Sequence, residues 1–162
     1  MLSENTPLWH YLSKGQRSLI QEGFYLLEDA KTHTPIHPIT DYSYIVFPVA
    51  KAFEGFLKQV FLDLEFIKKW QYESDHFRIG KALSPYLRKR LGDNSVYTKL
   101  ESHFGNAELA ELLWQHWKKG RNLVFHYFPH NLQAVTLEQA EILLNDLVAV
   151  MEKTVQACGL AT

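Results

Sequence analysis

Between residues 41 and 72 the chain reads as one long amphipathic stretch, and no other feature limits its fold as strongly. Ala50, Phe53, Leu57, Val60, Phe61 and Leu64 recur at steps of three and four. At ~100° per residue this spacing gathers them into a wide apolar face that must be buried against other elements. The expected helix runs over the whole stretch. Pro48 lies inside it, lacks an N–H and should kink or restart it. Lys68 and Lys69 are expected to close it, at the negative end of its dipole.

The remaining segments point the same way. Thr6-Pro7 is a helix start, with Thr as N-cap and Pro at the first helical position. Leu8, Tyr11, Leu12, Leu19, Ile20, Phe24, Leu26 and Leu27 carry the apolar pattern to about Lys31, weakened at Gly15 and Gly23. Residues 32–38 read as a loop broken by Pro35 and Pro38. Its His33 and His37 are read as solvated, because no carboxylate or thiol cluster accompanies them as a metal would require. A short helix is expected over residues 82–91, ended by Gly92-Asp93-Asn94, and a further turn from Val96 to Phe104. Asn106 should cap an amphipathic helix carrying Leu109, Leu112, Leu113, Trp114 and Trp117. Thr136-Leu137-Glu138-Gln139 has the form of a capping box, and the helix after it should turn Ile142, Leu143, Leu147, Val150 and Met151 inward. No sustained alternation of period two and no Asn-Gly or Asp-Gly hairpin turn is present. The expected fold is therefore all-α, a bundle of about four main helices with one or two short ones.

At 162 residues, 46% hydrophobic and 14% aromatic, the chain can bury a core of its own. We expect one compact domain, with residues 1–39 as an N-terminal helical segment and 40–162 as the main bundle. The balance of 17 Lys and Arg against 18 Asp and Glu argues against a generic polyanion binder. Any contact with nucleic acid must come from a local patch. Cys158 is the only cysteine, so one chain can form neither a disulfide framework nor a Cys-based metal site, and it reads as a packing residue. No apolar run approaches the ~20 residues of a membrane span. The first residues lack the basic-then-apolar order of a secretory signal. A cytoplasmic location follows as the expectation.

The chemistry concentrates in Arg121-Asn122-Leu123-Val124-Phe125-His126. An arginine that never loses its charge can hold an anion, and a histidine can accept and donate protons near neutrality. Together they suit cleavage of a phosphodiester. Five residues apart on a straight helix, they would stand ~140° from each other with ~7.5 Å of rise. They share a side only if the helix bends or ends between them, or if a second copy completes the site. Otherwise Arg121 is a surface ion-pair partner and His126 a structural residue. Glu54 lies among Phe53, Phe56 and Leu57 on the long helix, where an unpaired carboxylate would be expensive to bury. It is expected to meet Arg121 or His126. Asp41, thirteen residues earlier, reads equally as a helix cap.

The run from Arg121 to His126, with its polar Asn122, resembles the Arg-x4-His motif of the HEPN superfamily (higher eukaryotes and prokaryotes nucleotide-binding). Asp41-Tyr42-Ser43-Tyr44 and the stretch from Phe47 to Leu57 are similar to the start of the HEPN domain in RNase LS-type toxins. There an aspartate and a glutamate at this spacing precede the Arg–His pair. The resemblance spans roughly residues 40–158. RNase LS-type toxins carry further N-terminal domains where this chain has residues 1–39, and the segment between Glu54 and Arg121 is longer than the resemblance leads one to expect.

The resemblance implies a small helical bundle and a metal-independent endoribonuclease that needs no cofactor. Asp41, Glu54, Arg121 and His126 would be its catalytic residues. It implies a homodimer with two motifs facing each other, and a protein antitoxin or phage-defence setting. In RNA the 2′-hydroxyl is an internal nucleophile, so the enzyme must take its proton, stabilise the crowded phosphate and protonate the leaving oxygen. Asn122 could orient a substrate or partner group. Lys118, Lys119 and Tyr127, with Phe128, are the expected RNA contacts, and Arg88-Lys89-Arg90 could extend the track. Trp114 and Trp117 read as core or interface residues, and His103, His116 and His130 have no matching partners. The alternative is a non-catalytic helical module that binds a nucleotide or a partner protein through the Arg–His cleft.

Overall fold

Helix α3 (Ser43–Asp63) forms the axis of the molecule in a computed structural model that describes residues 3–32, 38–127, 129–131 and 133–160. Eleven of its 21 residues are buried, more than one packing face can account for, so helices cover it on more than one side. Helix α2 (Lys14–Thr32) runs along it, and α9 (Leu137–Ala157) packs on both. Gly23 marks a close approach of α2 to α3. A Cβ there would stand 2.4 Å from Val49 Cγ2, so this approach requires glycine. The short α1 (Pro7–Tyr11) lies against α9, and Thr6 caps it by accepting from the Trp9 N–H. Leu8, Leu12, Ile20 and Leu27 belong to the same core as α3, so the described part of the N-terminal segment is built into the bundle.

The fold is all-α, as the periodicity predicts, with no strand among the described residues. No helix among them is long and apolar enough to cross a membrane. The expected loop histidines His33 and His37 lie outside the described residues, as does Phe128.

Several boundaries differ from the sequence reading. The long helix ends at Asp63 and does not reach residue 72. Glu65 adopts a left-handed backbone (φ 58°), and the N–H groups of Phe66 and Ile67 both turn back to the Phe61 carbonyl. The reversal tucks Ile67 into the core, and that burial outweighs continuing the helix into solvent. Lys68 and Lys69 therefore stand at the start of α4 (Lys69–Glu73), where they do not complement a helix C-terminus. Nor does Pro48 restart α3, which is continuous through it. It is the sixth helical residue, so only its bond to the Tyr44 carbonyl is missing.

The helix expected over residues 82–91 is three pieces: α5 (Ile79–Ala82), a 3₁₀ turn (Pro85–Leu87) and α6 (Arg88–Leu91). Pro85 forces Ser84 into an extended conformation and divides them. Residues Val96–Phe104 form a full helix, α7, capped by the Ser95 hydroxyl accepting from the Thr98 N–H. Helix α8 (Glu108–Trp117) follows, with the Asn106 side chain accepting from the Glu108 N–H one residue outside the cap position. The Thr136 capping box opens α9 as expected. Along α9 the buried residues are Ala140, Leu144, Leu147, Val150, Met151, Thr154 and Val155, so Leu147, Val150 and Met151 face inward as expected. Ile142 lies ~200° around from Ala140 and is 52% exposed, against the inward position expected of it.

Candidate functional site

Helix α8 does not stop at Trp117. It widens into a π-helical turn over Lys118–Leu123, a form that inserts one extra residue into the hydrogen-bond ladder and is frequent at functional sites. Gly120 is buried there, because a Cβ would come within 2.8 Å of Leu147 Cδ2 on α9. The chain then turns through Val124 and Phe125 and bends at His126, whose N–H reaches the Leu123 carbonyl at 3.3 Å. The helix thus loosens and ends between Arg121 and His126.

Arg121 points to α3. Its Nε donates to Glu54 Oε2 at 2.9 Å, joining positions 67 residues apart. The two side chains are 39% and 31% exposed, so water screens the pair and the contact positions more than it stabilises. The two terminal nitrogens of Arg121 have no hydrogen-bond partner among the described residues. His126 is exposed, and its Nε2 lies 3.1 Å from Asn122 Oδ1, one turn back. With the amide oxygen facing the ring, Nε2 donates and Nδ1 is left to accept a proton. No hydrogen bond links His126 to Arg121 or Glu54. Asn122 therefore orients the histidine, a role the sequence reading gave to contact with a substrate or partner.

Arg121 and Glu54 lie on the wall of an open groove of about 410 Å³. Phe47, Lys51, Glu54, Gly55 and Lys58 of α3 form one side, and Arg121 and Phe125 the other. Phe47 and Phe125 meet edge to face at 5.5 Å, and the Arg121 guanidinium carbon stands 5.6 Å from the Phe125 ring centre. Three cations face one carboxylate here, so the groove attracts anions in a protein whose net charge is −1. Phe47, Lys51, Lys58 and Phe125 were not singled out from sequence as site residues. The signal was present: at ~100° per residue, positions 47, 51, 54 and 58 fall within ~60° of one another on the helix.

No family model, curated protein or solved structure matches this chain. What the site can do is therefore read from its own geometry. The groove can take a phosphate or carboxylate against Arg121 and Lys51, and His126, one turn from Asn122 and outside the groove lining, is the nearby motif residue able to move a proton.

The other candidate residues separate. Asp41 does not reach Glu54 within one chain. Its Oδ1 accepts from the Ser43 N–H at 2.9 Å and the Val135 N–H at 3.3 Å, tying the start of α3 to the approach to α9. Asp41 is not the N-cap that the sequence allowed: Tyr42 holds that position, and Asp41 bonds the helix start from one residue outside it. Lys118 and Lys119 are the first two residues of the π turn, and Tyr127 is 79% exposed beyond it, all outside the groove lining. Arg88 is engaged by Glu101 and stands over the Tyr97 ring. Trp114 is buried and stacks on Trp117, as a core pair would. His116 bonds the Leu112 carbonyl, and His103 packs against Phe66 and Phe104. Burial pushes the Cys158 thiol up to about 11, which suits a packing residue and not a nucleophile. Among the described residues no three His, Cys, Asp or Glu side chains come together as a metal site would need.

Proposed function

We propose that this protein is a metal-independent endoribonuclease of the HEPN type, the toxin of a toxin–antitoxin or phage-defence system, acting in the cytoplasm as a homodimer. The observation that carries the reading is the Arg121–Glu54 contact on the wall of a cationic groove. Glu54 occupies Nε and leaves the two terminal nitrogens for two parallel bonds to a phosphate. His126 Nδ1 takes the proton of the 2′-hydroxyl. The 2′-oxygen bonds to phosphorus, the bond to the 5′-oxygen breaks, and that oxygen takes up a proton. The products are a 2′,3′-cyclic phosphate and a 5′-hydroxyl. In the dimer a second copy of the motif supplies the opposing proton donor, and a protein antitoxin restrains the activity.

One observation favours the second reading, a non-catalytic nucleotide- or partner-binding module: His126 does not line the groove. Cleavage of a labelled single-stranded RNA in EDTA decides between them. The wild type is expected to cut. Arg121→Ala and His126→Ala are each expected to lose about 10²–10⁴ of the rate while keeping the far-UV circular dichroism of the parent. Parental rates in either variant would sink the site assignment. A wild type that binds nucleotide but cuts none of several RNAs would favour the binding module.

A further inference from the structure

Charge is unevenly placed along this chain. Residues 68–90 hold seven of the 17 Lys and Arg but two of the 18 Asp and Glu, a net charge of +5 set against −6 for everything else. The near-neutral total conceals a strongly basic region on an acidic body. Part of that region gathers around one place in the fold. Residues of α4, α5 and the turns around them surround one depression of about 260 Å³, with His76, Arg78 and Lys81 in its lining.

Three of the seven cations are engaged: Lys69 with Glu73 at 3.8 Å, Arg88 with Glu101, and Arg78 with the Asp75 carbonyl. Lys68, Lys81, Lys89 and Arg90 are exposed and make no ion pair among the described residues. Along the same segment two large rings are exposed, Trp70 at 66% and Tyr86 at 81%, the second with one edge against Trp114. Unpaired cations interleaved with exposed aromatics suit a polyanion with open base faces: the cations hold phosphates and the rings stack on bases. A duplex offers the phosphates but hides the faces. The region also adjoins the Arg121 groove. Lys58 lines that groove, and its Nζ reaches the Tyr72 and Ser74 carbonyls at 3.5 and 3.4 Å.

We infer that residues 68–90 form a second RNA surface, which grips the flank of a single strand whose scissile phosphate lies against Arg121. This rests on the reading of the Arg121 groove as an RNA site. The test is fluorescence anisotropy in EDTA on the full chain carrying His126→Ala, so that RNA stays intact. The probes are a single strand of about 20 nucleotides and one of about 4, the low end of single-strand site sizes. The triple variant Lys81→Ala, Lys89→Ala, Arg90→Ala is expected to weaken the long strand at least about tenfold. Its salt slope should be shallower by about 2, and binding of the short strand should not change. Trp70→Ala is expected to weaken the long strand but not heparin. All four positions are exposed, so the fold should persist.

Parental affinity of the triple variant for the long strand would overturn the proposal. So would binding of duplex RNA or heparin as tight as that of the single strand, because the surface would then be a general polyanion patch. If the triple variant lost the long strand while the His126-intact protein cut no RNA, the surface would stand and the ribonuclease reading would fail. If the intact protein cut RNA while the triple variant bound the long strand unchanged, the ribonuclease reading would stand and the surface would fail.

Discussion

The two walls of the Arg121 groove are built differently. On one side α3 is a regular helix with Phe53, Phe56 and Leu57 buried directly behind the groove residues. Its polar stripe cannot move without moving the core. On the other side the motif runs through a π turn, a bend and an exposed histidine, with Gly120 against Leu147 as its buried anchor. The first wall is backed by the core and stiff; the second is held locally, at Gly120 and through Glu54. Arg121, placed on the second and braced by Glu54 on the first, gains orientation from the core while staying partly exposed.

The largest effect should come from breaking the stiff wall. Phe53 is fully buried, and Phe53→Ala is expected to cost about 3–5 kcal/mol in urea unfolding. A loss below about 1 kcal/mol would mean that α3 is not the rigid wall described. A smaller effect should appear at Cys158, just past the end of α9. Burial raises its thiol to about 11 from an ordinary value of 9.0. As pH climbs above 9, the unfolded thiol loses its proton first, so the unfolded state binds fewer protons than the folded one. The contribution is complete below pH 9 and is lost as pH rises towards 11. The urea midpoint of the wild type should therefore fall more steeply than that of Cys158→Ala between pH 8 and 11. Equal slopes would mean that water reaches this end of the core.

The smallest change in stability is expected for Glu54→Gln, within about 1 kcal/mol, because its ion pair with Arg121 is partly exposed. Its effect should appear instead in RNA cleavage. A destabilisation as large as that of Phe53→Ala would erase the distinction between the two walls.

Much of the bundle was legible because it follows local rules. The Thr6 and Thr136 caps and the apolar stripe of α3 each require only a few neighbouring residues to specify them. What escaped depended on contacts distant in sequence. The end of α3 at Asp63 is set by burial of Ile67 beneath the same helix, which periodicity cannot register. The π turn needs Gly120 to meet Leu147, and a lone glycine at the end of a helical pattern does not announce that. The Glu54–Arg121 contact was within reach because a carboxylate between phenylalanines demands a partner. Asp41 carried no such demand, and a backbone amide near α9 satisfies it instead.

The contact between Gly120 and Leu147 also orders events in time. The motif turn rests on the last helix, so on a ribosome Arg121 and His126 would emerge well before the surface that seats them. Until α9 has been synthesised and docked, the turn lacks its anchor, whatever the state of α3. Alignment of the motif is thus held back to the closing stage of folding, and a chain interrupted before Leu147 would carry every motif residue without the anchor of their turn.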